Sequence, residues 1–170
     1  MYRQVPALGR AAAQIGIRAD LSNDVVLPEK NVDTIEDNRA SFHEVHGLAD
    51  GRVRVRVGFE WLPLGSPELL GEVRALADEL GTGIHLHLNE SMTEVEDSLR
   101  RFGKRPTELA GEMGVLGPDC VAAHCVHLDD GEIDLMASTG THLSHNPSSN
   151  AKLGNGIARL PEWLAAGINV

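Results

Sequence analysis

Runs of strand length recur along this chain, each followed by a stretch with helical spacing. That order constrains the fold more than anything else in the sequence. Ile17–Leu21, Val53–Val57, Ile84–Leu88, Val121–Cys125 and Thr141–His145 read as strands, and Ile168–Val170 as the start of a sixth. The run Val53-Arg54-Val55-Arg56-Val57 alternates strictly, as a strand with two unlike faces does. Between the strands lie helical patterns. Met1–Gly16 carries Val5, Leu8, Ala12 and Ile15 on one face, and Val32–Ala49 uses Ile35, Phe42, Val45 and Ala49. Ser66 caps a helix that Pro67 and Glu68 open and Gly81 ends, with Leu69, Val73, Leu76 and Leu80 as its stripe. Ser91 and Glu94 suit a capping box. Pro106 starts a further helix through Leu109 and Met113. Asp129 or Asp130 caps one bearing Ile133, Met136 and Ala137, stopped by Gly140, and Pro161–Ala166 is a short one.

Repeated strand–helix units imply an α/β fold with a parallel sheet, helical cover and right-handed crossovers. A full (β/α)8 barrel needs about 250 residues, and this chain has 170. The pattern therefore suits a partial TIM-type barrel of about five strands, a single domain over 1–170 that lacks the first strands and the last one. A smaller, complete open α/β domain fits the local pattern equally. No internal repeat, low-complexity tract or linker interrupts it.

Charge narrows the function. With 15 Lys and Arg against 25 Asp and Glu, the net charge is −10, the wrong sign for a nucleic-acid groove. No apolar run reaches the roughly 20 residues of a membrane span, and Met1–Arg10 does not read as a secretory signal. Cys120 and Cys125 offer no disulfide framework, which points to a reducing compartment, the cytoplasm.

Six of the eight histidines fall in close pairs: His85 and His87, His124 and His127, His142 and His145. In Ile84–Leu88 the alternation sends Ile84, Leu86 and Leu88 to the helices and both histidines to the other face. Glu90 follows at the C-terminal end of that strand, where barrel sites lie. An imidazole there can hold zinc, and a carboxylate can carry protons for an activated water. Hydrogen-bonded core histidines would produce the same local pattern. His124 and His127 repeat the arrangement on the next strand, and His145, Asn146 and Asn150 on the one after. The stretch Lys152–Gly156 lacks the spacing of a Walker loop and reads as a polar loop.

Three successive strands ending in histidines make a resemblance visible. The stretches HLHLNE, AAHCVHLDDGEI and THLSHNPSSNAKLGNGIARLPEWLAAGINV are similar to the amidohydrolase superfamily. Within it, the similarity is to the branch of methylthioadenosine/S-adenosylhomocysteine deaminases, guanine-type deaminases and triazine chlorohydrolases. The resemblance covers about Arg52 to Val170 and implies a (β/α)8 barrel with one divalent metal, zinc or iron. It implies His87 as a metal ligand, Glu90 as the proton carrier between water and substrate, and His124 as the group that orients the water. His127, His145, Asn146 and Asn150 would line the pocket. Two departures stand out. The family's His-x-His pair of the first strand and the Asp after the eighth are not in this sequence. Where the methylthioadenosine branch has a substrate-contacting histidine, this chain has Glu60, in Gly58–Pro63, which suits a substrate presenting N–H donors or positive charge.

The expected function is hydrolytic deamination of a purine-, pterin- or triazine-like amine. The partner is then a small-molecule substrate, with a homo-oligomer left open. The competing readings are a non-catalytic shortened paralogue and a metal-binding or scaffold module on the same fold.

Overall fold

The computed structural model describes residues 4–27 and 33–170. Five strands form one sheet, β1 Ala19–Val25, β2 Val53–Phe59, β3 Ile84–Leu88, β4 Cys120–His124 and β5 His142–Ser144. They pair in chain order, every pair parallel. Helix α1 (Val5–Ile15) precedes β1. Helix α2 (Ile35–Val45) and a short turn, α3 (Leu48–Gly51), join β1 to β2. Helix α4 (Pro67–Leu80) joins β2 to β3, and α5 (Met92–Phe102) with α6 (Pro106–Glu112) leads to β4. Helix α7 (Asp130–Thr139) joins β4 to β5, and α8 (Pro147–Leu153) and α9 (Leu160–Ala165) follow. Parallel strands in chain order with helices between them are the wall of a partial barrel.

Most expected elements are present, and the shifts have local causes. Strand β1 lies further along than Ile17–Leu21: Ile17 is exposed, and the strand runs on through the buried polar residues Asn23 and Asp24. Asn23 Nδ2 donates to Ser41 Oγ at 2.7 Å and to the Asp37 carbonyl, so a polar residue is accommodated where an apolar pattern breaks off. Helix α2 ends at Val45 rather than Ala49, because Gly47, Ala49 and Asp50 adopt left-handed backbone. The expected helical residues Met1–Arg3 and Val32 lie outside the described residues. Asp129 is the cap of α7. Residues 147–153, which include the start of the expected polar loop Lys152–Gly156, form α8, with Pro147 in its first turn and left-handed Gly154 ending it. Of Ile168–Val170, the Asn169 carbonyl accepts one bond from the Leu143 amide.

The register sorts the side chains. One face carries Val57, Phe59, Ile84, Leu86, Leu88, Cys120, Ala122 and Leu143, all buried against Leu70, Val73 and Leu76 of α4, Met136 of α7 and Trp163 of α9. This is the core. The opposite face carries Asp20, Ser22 and Asp24 on β1, Arg54 and Arg56 on β2, His85 and His87 on β3, and His142 and Ser144 on β5. That face is partly open: Asp20 and Arg54 are exposed, and the others, apart from buried Asp24, are half-buried. Burial pushes the Cys120 thiol up to about 12 and the Cys125 thiol well above its ordinary range. Both cysteines are free.

Candidate active site

Strand β3 supplies the first two groups. His85 and His87 project from the inner face, with ring centroids 6.0 Å apart. His87 Nδ1 lies 2.7 Å from the Glu60 carbonyl oxygen. A carbonyl only accepts, so Nδ1 carries the proton and the Nε2 lone pair is free. This is the tautomer that a carbonyl-anchored histidine ligand adopts. Burial, with His87 beside it, lowers the affinity of His85 for a proton. His85 Nδ1 meets Ser22 Oγ at 3.3 Å. The Glu60 side chain joins His85, His87, Ser22 and Asp24 around a cavity of about 410 Å3, whose lining contains no Lys or Arg among the described residues.

A strict alternation would spoil the rest of the site. In the register His87 pairs with Ala123, so His124 belongs by parity to the core face, as does Glu90 beyond Leu88. The backbone reverses this at both strand ends. Asn89 (φ 47°), His124 (φ 72°) and Cys125 (φ 50°) are all left-handed, a conformation non-glycine residues rarely hold and functional sites often do. As a result the His124 ring lies 5.3 Å from the His87 ring, and Glu90 Oε1 lies 3.6 Å from His124 Nε2. Asn89 turns into the protein instead and is fully buried.

Each reversed residue is held. Asn89 Oδ1 accepts from Thr107 Oγ1 at 3.0 Å, and its Nδ2 donates to both Glu132 oxygens at 3.1 Å and to the His127 carbonyl. Arg105 completes this network, donating to Glu132 Oε2 at 2.8 Å and to the His127 carbonyl at 2.6 Å. His124 Nδ1 lies 2.8 Å from Asn150 Oδ1, which leaves Nε2 facing Glu90. Asn155 Nδ2 donates to Glu90 Oε1 at 3.0 Å, while His127 Nε2 donates to the Asn155 carbonyl at 2.7 Å. The expected Ser91–Glu94 box is only half formed. Ser91 Oγ accepts from the Glu94 amide, but Glu94 Oε2 reaches past Ser91 to the Glu90 amide at 2.7 Å.

The structure thus gathers His87, Glu90 and His124, with Asn150 behind His124. His145 and Asn146 share a cavity of about 530 Å3 with His124. His145 packs edge-on against Trp163, and its buried Nδ1 has no partner. His127 is tied to the Asn155 loop rather than open on both nitrogens. Sequence reasoning missed Asn89, Asn155 and Glu94. Asn155 lies in the Lys152–Gly156 stretch that read as a plain loop, and only a fold could show that it reaches Glu90. For a metal, His87 Nε2 is one oriented donor of the right kind. Among the described residues no three His, Cys, Asp or Glu side chains group as a metal centre.

Residues 2–170 match the amidohydrolase family. The chain belongs to that family. It is 40% identical to a 5'-deoxyadenosine deaminase of Methanopyrus kandleri, aligned over 100% of this chain and 40% of that protein. It is 36% identical to a 5-methylthioadenosine/S-adenosylhomocysteine deaminase of Caldanaerobacter subterraneus, with the same coverage. An adenosine deaminase of Xanthomonas campestris, solved with bound zinc, superposes with a TM-score of 0.87 at 26% identity, over 96% of this chain and 38% of that one. The chain therefore spans about 40% of the length of the curated relatives it matches. Among the described residues no helix is long and apolar enough to cross a membrane.

Proposed function

We propose that the protein is a metal-dependent hydrolase that replaces the exocyclic amine of an aromatic heterocycle with oxygen, releasing ammonia. The carrying observation is the juxtaposition of Glu90 and His124 beside His87, bought with three left-handed residues. A divalent cation, zinc or iron, with His87 Nε2 among its ligands would supply a water acidified to near neutrality. Glu90 takes one proton from the attacking water and delivers it to the ring nitrogen, then carries the second, from the hydroxyl now on the ring carbon, to the departing amine, which leaves as ammonia. Asn155 holds Oε1 of that carboxylate, and His124 Nε2 faces the same oxygen and orients the water. His145, Asn146 and Asn150 lie on the His124 side, His127 holds the Asn155 loop, and Glu60 lies on the His87 side.

The deaminase relatives favour a purine-type amine. The anionic cavity of Glu60 and Asp24 beside His87 favours a substrate that presents N–H groups there, and disfavours one carrying a carboxylate. The test is ammonia release by the complete gene product from purine nucleosides. Glu90→Gln keeps the volume but cannot shuttle a proton, so kcat should fall on the order of 10²-fold or more with metal content unchanged. A kcat within a few-fold of wild type would overturn the role of Glu90, and no ammonia release by the wild-type gene product would leave the shortened-paralogue or scaffold reading.

A further inference from the structure

We propose that Glu94 is a positioning residue: one buried carboxyl that ties the Glu90 backbone to the Trp61 indole, and so sets the proton carrier against the loop that orients His87. The proposal rests on the roles given above to Glu90 and His87. Glu94 is fully buried in the first turn of α5. Its Oε2 accepts from the Glu90 amide at 2.7 Å. Its Oε1 has no partner within hydrogen-bond geometry, and neither has the buried Nε1 of Trp61. The indole N–H nonetheless stands near enough to this carboxyl to favour its ionised form, as do the amides of Glu90 and Asn89. The other titratable groups that act on it are Glu90 and Cys125.

Trp61 directly follows Glu60, whose carbonyl accepts from His87 Nδ1. The carboxyl therefore binds the bend after β3 that presents Glu90, and turns its unpartnered oxygen to the indole of the loop after β2 that fixes the His87 tautomer. The two elements are clamped a second time from the surface, where Arg101 of α5 donates to the carbonyls of Leu62 and Gly65. A buried acid is an expensive way to fill space, since an apolar side chain of the same size avoids the desolvation. Accepting from one loop while turning a second oxygen to the N–H of another is what a carboxyl does there and an apolar group cannot.

The experiment compares E94Q, which keeps one acceptor oxygen, with E94M, which keeps the volume and removes both. Indole N–H exchange of Trp61 and the 15N signature of His87 are read on this chain, with W163F removing the other tryptophan. E94Q, with one acceptor for two donors, should keep the Glu90 amide bonded and protect the indole only in part, so that its exchange falls between wild type and E94M. E94M should speed indole exchange at least about tenfold and populate the second His87 tautomer, at unchanged far-UV circular dichroism. In the complete gene product E94M should lower kcat at least about tenfold with little change in KM, and E94Q should fall between E94M and wild type. An E94M protein with native Trp61 protection and a native His87 tautomer overturns the proposal. If E94M does not fold, E94D decides in its place, because its shorter arm cannot reach both donors. If the Glu90 assignment is what fails, E90Q and E94M both leave turnover intact while the two spectroscopic readouts still separate E94Q from E94M.

Discussion

The environment of Glu94 makes stability depend on pH in a way that one substitution should erase. Burial, opposed by the Trp61, Glu90 and Asn89 N–H groups, raises its pKa from 4.5 to about 7. The folded protein therefore binds this proton more tightly than the unfolded chain does. The stabilisation is fully present below pH 4.5 and is lost as the pH rises through about 7. At about 1.4 kcal/mol per pH unit, that interval is worth on the order of 3 kcal/mol. Glu94→Gln resembles the protonated form at every pH. The stability difference between Glu94→Gln and wild type should therefore shift in favour of the variant by on the order of 3 kcal/mol between pH 4.5 and pH 8. Taking the difference cancels the titration of every other group that the substitution leaves alone. Urea unfolding at half-unit pH steps, followed by circular dichroism, measures it. A difference that stays flat across that range would show that Glu94 is ionised throughout and that its burial has been overvalued.

Other perturbations probe the remaining features. His87→Ala in the complete gene product should weaken zinc binding on the order of 10²-fold or more, measured by chelator competition, because it removes the one oriented donor. The 170-residue chain alone should not retain zinc through dialysis against a chelator. Asn89→Ala should cost roughly 2–3 kcal/mol in thermal unfolding, since it leaves the buried Thr107 hydroxyl unpaired and puts alanine in left-handed backbone. Gly58→Ala should destabilise by about as much or more, because its Cβ would stand 2.1 Å from the Asn23 carbonyl oxygen of the neighbouring strand.

Where the sequence could be read, one rule sufficed. Val53–Val57 and Ile84–Leu88 alternate strictly, so their strands and the inward direction of His85 and His87 followed from a period of two. Ser66-Pro67 and Gly81 bracketed α4 because capping chemistry is local. The failures came where distant partners override local pattern. Asn23 and Asp24 look like the end of a strand, yet they are buried inside β1, with Asn23 paired to Ser41 and the Asp37 carbonyl on α2. Lys152 and Leu153 belong to a stretch that reads as a loop, yet they close the helix whose Asn150 meets His124.

The same rule explains why the site was only half legible. Period two correctly aims His87, then predicts the wrong side for Glu90 and His124. The residue that corrects the first is Asn89, and asparagine tolerates left-handed backbone better than most. Asn89 could have been flagged on that ground alone. Nothing comparable marks His124, which adopts φ 72° because its ring is captured by Asn150 from α8 and its carboxylate neighbour is captured by Asn155. Those partners lie 26 and 65 positions away from the groups they hold. The first half of the site is thus a property of one strand, readable from spacing. The second half is a property of the closed polar network between β3, β4 and the α8 region, and exists only once those segments meet. Any variant that breaks this network should lose the Glu90–His124 approach while leaving the His87 tautomer in place, and a structure of Asn155→Ala would show the two halves coming apart.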